Sequence, residues 1–262
     1  MNNLSPVGEN SSGEAPSSSD YRDHEPVMVE VQLPVTKPYV TYTLIGLTLL
    51  AFIVQLVTDY LFQIDLPLLL GAKHNESIQQ GEIWRLITPV LVHGGFMHIA
   101  FNMYALYVIG PQLERHYGHL RFLVLYMLGA FAGNILSFYL SPSASVGAST
   151  AIFGLIAAQI IFIWVNRKLF GERSRALLIN LAFIVIVNLS LGLSPGIDNW
   201  GHLGGMIGGA AFAWFAGPLL RIRQDIQGYH LYDSRNLSQW QLAAVIEVVL
   251  LAALAAVNIV AR

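Results

Sequence analysis

Gly147-Ala148-Ser149-Thr150-Ala151-Ile152-Phe153-Gly154-Leu155-Ile156-Ala157-Ala158-Gln159-Ile160-Ile161-Phe162-Ile163-Trp164-Val165 runs without a single charged side chain. A helix of this length rises about 28 Å, close to the hydrocarbon core of a bilayer, which calls for about 20 mainly apolar residues. Six further stretches read the same way, at 40–58, 88–110, 121–140, 176–192, 200–217 and 240–260. They are too long for strands, and the alternation of an outer-membrane barrel is missing. Breakers such as Ser141-Pro142-Ser143 and Ser194-Pro195-Gly196 separate them. The pattern predicts an all-α polytopic membrane protein with seven spans.

Composition agrees. Of 262 residues, 55% are hydrophobic and 11% charged, and mean hydropathy is +0.55. A soluble domain carries about 25% charged residues, so most of this surface must face lipid. Fourteen basic residues against sixteen acidic ones give a net charge of −2, which removes the polybasic signature of a nucleic-acid partner. The absence of cysteine excludes disulfides, thiolate nucleophiles, iron–sulfur clusters and cysteine-bound zinc.

Residues 1–37 are polar, rich in Ser, Asn, Glu and Pro, with no apolar core long enough for a signal peptide. The first 26 read as disordered, and Val27 to Val35 alternates enough for a short strand or surface-hugging segment. With the N-terminus inside, the inner segments hold Arg22, Lys37, Arg115, Arg121, Arg167, Lys168, Arg173, Arg175, Arg221, Arg223 and Arg235. The outer segments hold only Lys73, Arg85 and Arg262. The positive-inside rule therefore predicts a cytoplasmic N-terminus and an outer C-terminus. Short loops and the missing targeting sequence favour a bacterial plasma membrane. The N-terminal ends of spans two, four and six then share one depth, just below the outer surface.

Polar groups inside a membrane are costly and mark function. Span two opens on His93-Gly94-Gly95-Phe96-Met97-His98-Ile99-Ala100-Phe101-Asn102, with His98 and Asn102 on one face. Span four opens on Gly147-Ala148-Ser149, with Phe153 on the face of Ser149. Span six opens on Trp200-Gly201-His202, followed by Gly205 and Gly209, a small-residue stripe that admits another backbone. A serine hydroxyl needs a base, and an imidazole titrating near neutrality can serve. His98, Asn102 and the Ser149 N–H at a helix start are suitable oxyanion donors. Asp198, the only acid near His202, falls in a loop, so a Ser149–His202 dyad without a carboxylate is expected. Taken singly, Ser and Gly in a span usually serve packing, and a lone His or Asn usually ties helices together. What sets these residues apart is that nucleophile, base and donors fall at one depth on alternate spans.

These residues resemble the rhomboid family of intramembrane serine proteases. His93-x4-His98-x3-Asn102, Gly147-x-Ser149 and His202-x2-Gly205-x3-Gly209 follow that family's order, over about residues 40–220. Trp84-Arg85 resembles its first-loop motif and Glu114-Arg115 its structural acidic–basic pair. The resemblance implies a six-helix catalytic core over 38–220. The remainder, 221–262, is then a cytoplasmic linker and an added seventh span. It implies Ser149 as nucleophile, His202 as base, His98 and Asn102 as oxyanion donors, and Phe153 as the ring on the imidazole. Gly147, Gly205 and Gly209 would pack the active site. It implies no metal and no cofactor, transmembrane proteins as substrates, entry beside the fifth span, and a cap at 193–199. Thr150 replaces the family's usual glycine, which is expected to narrow the pocket, and Phe153 lacks the hydroxyl of the tyrosine often found there.

Other residues are expected to be structural. Glu247, midway along span seven, is expected to be neutral and hydrogen-bonded within the bundle, or else an oligomer contact. His116, His119 and His230 are expected to be solvated. His24-Glu25 continues as Pro26-Val27-Met28, not the second histidine of a zinc protease motif. No span holds the paired aspartates of an aspartyl protease, and no internal repeat suggests a transporter. The rival from another class is a catalytically silent relative that binds transmembrane clients in quality control.

Overall fold

The computed structural model describes residues 36–194, 196–225 and 228–261; the tail up to residue 35, with the Val27–Val35 segment and His24-Glu25, lies outside them. The described chain forms α1 (Tyr39–Phe62), α2 (Leu66–Gly71), α3 (Asn75–Gln79) and two 3-10 turns, Ile83–Leu86 and Thr88–Leu91. There follow α4 (Phe96–Tyr117), α5 (His119–Leu140), α6 (Ser149–Val165), α7 (Arg167–Phe170), α8 (Arg173–Leu191) and α9 (Asn199–Ala216). An antiparallel hairpin, β1 (Leu220–Asp225) and β2 (Gly228–Asp233), then leads to α10 (Leu237–Ala261).

By length and composition α1, α5, α8 and α10 can each cross a membrane, and α6 is a shorter apolar helix. The chain is a multi-pass helical membrane protein. Of the remaining long helices, α4 carries His98, Asn102 and Glu114, and α9 carries His202. Their polar groups dilute the apolar signal.

Most expected spans match a helix to within a few residues; the second does not. Its first part, expected helical from 88, is a 3-10 turn, and α4 starts only at Phe96. Pro89 sits in the first positions of that turn, where its missing N–H does no harm. Gly95 then takes φ +155°, which ends any continuous helix. The expected linker after α9 is instead the hairpin, pairing Arg221 with Tyr232, Ile222 with Leu231 and Arg223 with His230.

The centre of the bundle is α5, α6 and α9 packed at backbone distance. Lipid tails are as apolar as leucine, so helices associate in a bilayer through close packing of small residues. A Cβ on Gly133 of α5 would lie 2.6 Å from the Gly201 carbonyl of α9, and one on Gly154 of α6 3.0 Å from the Gly205 carbonyl. A methyl at Gly205 or Gly209 would overlap the carbonyls of Thr150 and Gly154. Phe122, Leu125, Leu155, Phe162 and Phe212 fill the buried core around this trio. In contrast, α8 buries only Val185.

Glu114 ties the opposite end together. Its carboxylate accepts the N–H groups of Val40 (2.9 Å) and Thr41 (2.8 Å) and the Thr41 hydroxyl (2.7 Å), and meets His119 Nδ1 at 2.6 Å. No side chain of α1 caps its own N-terminus, so Glu114 fills the orphan donors there and faces the positive end of its dipole. His119 is thus partnered rather than merely solvated, and His116 stacks on Phe162 at 4.6 Å. Glu247 departs from the first of its two readings: its buried Oε1 has no hydrogen-bond partner among the described residues. It lies 3.5 Å from where a Gly208 Cβ would stand, because that stretch of α9 offers glycine and no donor.

Removing the Glu114 carboxylate leaves buried Thr41 and two backbone donors unpaired. Glu114→Ala is expected to destabilise the protein by about 3 kcal/mol, and Glu114→Gln by less, because the amide oxygen still accepts. Thermal unfolding in detergent, followed by tryptophan fluorescence, checks the order.

Candidate active site

Ser149 is the first residue of α6, and the loop that delivers it is fixed residue by residue. Gly147 has φ +117°, a conformation that L side chains rarely adopt. A Cβ there would also stand 2.6 Å from His98 Nε2 and 3.4 Å from Asn102 Nδ2, so the position is closed to other residues on both counts. Gly147 N–H donates to the Pro89 carbonyl (2.9 Å), and Ala148 N–H to His93 Nε2 (3.4 Å).

His202, on the first turn of α9, brings Nε2 to 3.0 Å from Ser149 Oγ. Phe153, four residues after Ser149, stacks on the imidazole with centroids 4.3 Å apart and planes 17° from parallel. Asp198 does not reach the ring. It caps α9 by accepting from Gly201 N–H (3.0 Å) and takes the Ser137 hydroxyl, and the buried His202 Nδ1 has no hydrogen-bond partner among the described residues.

His98 and Asn102, one turn apart on α4, converge on the same loop. His98 Nδ1 accepts from Gly94 N–H (3.4 Å), so in the neutral ring Nε2 carries the proton. Asn102 is buried, and its Nδ2 donates to no partner among the described residues. The Ser149 N–H belongs to the first turn of α6, where backbone donors lack intrahelical acceptors. The His98 and Asn102 side-chain donors thus stand beside Gly147, two residues before a half-buried serine hydroxyl that contacts an imidazole. The arrangement has the parts for nucleophilic attack with proton transfer and oxyanion stabilisation.

Thr150 does not narrow this space as expected. Its branched side chain is buried against α5 and α9, its Cβ 2.7 Å from a Cβ position on Gly133 and its Cγ2 3.1 Å from one on Gly201. Two glycines make room for it. Gly205 and Gly209 serve the α6–α9 contact, as read from their spacing. Between α8 and α9 a cleft of about 430 Å³ opens, lined by Ile186, Leu189, Ser190, Leu193, Trp200 and Leu203 among others.

Two supporting residues escaped the sequence reading. Gln55 of α1 clamps the backbone of His93 from both sides, accepting from its N–H and donating to its carbonyl at 3.0 Å each. The signal was a polar residue in the middle of an apolar run. Lys73, between α2 and α3, is fully buried and donates to the carbonyls of Ser141 (2.8 Å) and Ser143 (2.7 Å), while its backbone pairs with Ser145. It fastens the loop between α2 and α3 to the segment leading to Gly147. Arg85 braces the same loop through the carbonyls of Ala72 and Leu69, both at 2.8 Å.

Comparison with known proteins finds a family. Residues 80–219 match the family model of the Rhomboid domain. Rhomboid protease GluP of Bacillus subtilis is 42% identical over 174 residues, 66% of this chain and 34% of the relative. RHOMBOID-like protein 6, mitochondrial, of Arabidopsis thaliana is 36% identical over 173 residues, 65% of this chain and 54% of the relative. Rhomboid-like protease 3 of Toxoplasma gondii is 36% identical over 152 residues, 56% of this chain and 57% of the relative. The chain thus spans between about a third and somewhat over half of the length of these relatives.

Burial lowers the pKa of Lys73 from 10.5 to about 8, only partly opposed by Asp198. The unfolded chain keeps that proton to a higher pH, so between pH 8 and 10.5 unfolding takes up a proton and stability rises with pH. The melting temperature of the native protein, taken relative to Lys73→Met, is expected to rise across this window. A flat difference would mean that Lys73 does not titrate there.

Proposed function

The chain belongs to the rhomboid family, and from that premise we propose that it is an intramembrane serine endopeptidase. It cleaves transmembrane segments of other membrane proteins near their extracytoplasmic end. The observation that carries this reading is the 3.0 Å contact between Ser149 Oγ and His202 Nε2, made by an imidazole already stacked on Phe153.

In the proposed reaction Ser149 Oγ attacks the scissile carbonyl carbon while His202 Nε2 takes its proton. The oxyanion receives hydrogen bonds from His98 Nε2–H, Asn102 Nδ2–H and the Ser149 backbone N–H. The imidazolium returns its proton to the leaving amide nitrogen, which frees one product as an amine and leaves an acyl ester on Ser149. Water, deprotonated by His202, attacks the ester; the imidazolium returns that proton to the departing Ser149 Oγ, and the second product leaves as a carboxylic acid that ionises in water. Phe153 holds the plane of the ring through both proton transfers. The sparse embedding of α8 and the cleft it forms with α9 support lateral entry of a substrate helix at that seam.

In this reading seven helices span the bilayer with the N-terminus cytoplasmic and the C-terminus outside, as the distribution of basic residues favours. The likeness to the Bacillus subtilis protease supports a bacterial plasma membrane, and the likeness to the mitochondrial Arabidopsis thaliana protein supports an organelle membrane instead.

A serine-directed fluorophosphonate probe tests the assignment. The wild type is expected to be labelled, Ser149→Ala not at all and His202→Ala only weakly. Equal labelling of the three, or none of the wild type, would favour the silent client-binding reading.

Asn102→Ala separates a donor from a helix tie. Removing one oxyanion donor costs about 3 kcal/mol in the transition state, a fall on the order of 100-fold in kcat. Turnover of a transmembrane reporter should therefore drop while the melting temperature stays close to wild type. Collapse of the fold instead would assign Asn102 to structure.

A further inference from the structure

At the end of the bundle opposite Ser149, the hairpin, the C-terminus of α9 and the start of α10 enclose an open cleft of about 590 Å³. Phe215, Leu219, Arg221, Ser234, Arg235 and Gln239 line it. We infer that this cleft binds the phosphate-bearing headgroup of an anionic membrane lipid, with Arg221 as the principal contact.

The charges favour an anion. Arg121 and Arg235 lie around one carboxylate, Asp233, while Arg221, opposite Tyr232 in the hairpin, lines the cleft itself. That carboxylate is already spent: Arg121 takes Oδ2 at 2.6 Å, and the N–H groups of Leu219 (2.9 Å) and Arg235 (3.0 Å) take Oδ1. Arg235 is partly committed, because it donates to the Gly217 carbonyl (2.5 Å) and the Trp214 carbonyl (2.6 Å) at the end of α9. Arg221 is exposed, and the described residues offer it no salt bridge or hydrogen-bonding side chain. Gln239 spends its Oε1 on the Asn236 N–H (3.2 Å), and the described residues give its amide no acceptor. The free donors at the cleft belong to Arg221 and Gln239, a set suited to phosphate oxygens.

The surroundings point to a lipid as the source of that phosphate. Asn166, at the end of α6, binds the Pro218 carbonyl (3.0 Å) and Leu220 N–H (2.8 Å), which sets the hairpin beside the Trp164 end of α6. Trp164 is exposed with Arg167 over its ring at 4.9 Å, and Trp214 and Phe215 are exposed on the last turn of α9. Exposed indole rings beside arginine mark the headgroup level of a bilayer. Phe215 presents an apolar wall for the first acyl carbons, and basic pockets between helices at this level hold acidic lipid headgroups. An isolated two-stranded hairpin is marginal in water, and such a ligand would brace it against α9 and α10.

The test uses the purified full chain in neutral detergent micelles at fixed ionic strength. Dioleoylphosphatidylglycerol, dioleoylphosphatidylcholine or inorganic phosphate is added, with melting temperature and native mass spectrometry as readouts. Phosphatidylglycerol is expected to raise the melting temperature and to remain bound as one lipid, and phosphatidylcholine to do neither. Arg221→Gln should weaken the phosphatidylglycerol effect about fivefold, and Arg221→Lys should keep most of it. Arg223→Gln, the same charge change two residues along the strand and outside the cleft, should leave it unaltered. Equal loss in Arg221→Gln and Arg223→Gln would reduce the effect to general surface charge and overturn the site. Equal responses to the two lipids would overturn it as well. A full response to inorganic phosphate alone would make it an anion site with no lipid specificity.

Discussion

The approach of α6 to α9 at backbone distance is the constraint on which the rest of the molecule depends. Gly154 of α6 and Gly205 and Gly209 of α9 leave no room for a methyl group between the helices. The contact of Gly205 with the Thr150 carbonyl lies one residue from Ser149 and three from His202. The same packing that binds the helices therefore sets the distance between hydroxyl and imidazole. A hydrogen bond of 3.0 Å is lost with a shift of about 1 Å, whereas a methyl at this seam would force the helices apart by a comparable amount. Lipid supplies no hydrophobic force to close such a gap again.

Away from that seam, several buried or half-buried polar side chains act on backbone that the helices leave unsatisfied. Glu114 takes the first N–H groups of α1, Asp198 caps α9 and Arg235 covers its last carbonyls. Gln55 and Lys73 do the same for non-helical stretches, one at His93 and the other at Ser141 and Ser143. In a medium without water an unpaired backbone group costs several kcal/mol. Irregular loops at this depth are possible only with such partners. The Gly147–Ser149 turn can thus be non-helical beside the site, because Pro89, His93 and Lys73 supply what water would supply elsewhere.

These two devices explain what the sequence made legible. Helix spans follow from uninterrupted apolar runs, and the gathering of Ser149, His202, His98 and Asn102 follows from spacing and shared depth, both local properties of the chain. The start of α4 was misjudged because residues 88–95 are apolar but hold Pro89 and Gly95, and an apolar run alone does not distinguish a helix from a 3-10 turn. The roles of Gln55 and Lys73 were not legible, although Gln55 interrupts an apolar run, because their partners lie far along the chain, at His93 and at Ser141 and Ser143. The hairpin was missed because its strands are short: the alternation Leu220-Arg221-Ile222-Arg223 runs for only four residues before Gln224 and Asp225. Thr150 looked like an obstruction because its neighbours Gly133 and Gly201 belong to other helices. Of the two readings of Glu247, the hydrogen bond within the bundle is not met at Oε1 among the described residues, because the face of α9 against it is glycine.

The composition of the site itself follows from where it lies. In water-soluble hydrolases a carboxylate can orient the imidazole and balance the charge it acquires. A permanent carboxylate at this depth would have to be desolvated in the resting state, at a cost of several kcal/mol. Here Asp198 is kept at the helix cap, and the stacked Phe153 ring supplies orientation without charge. In the proposed reaction the imidazolium and the oxyanion appear in the same step and within a few ångströms of each other. Each is the counter-charge of the other, and their attraction is stronger in a water-poor cavity than in bulk solvent. Neutral donors at His98, Asn102 and the Ser149 N–H complete the balance. In the proposed reaction a site built only from neutral groups is thus electrostatically inexpensive at rest, and it would acquire its charge pair only where the transition state needs one.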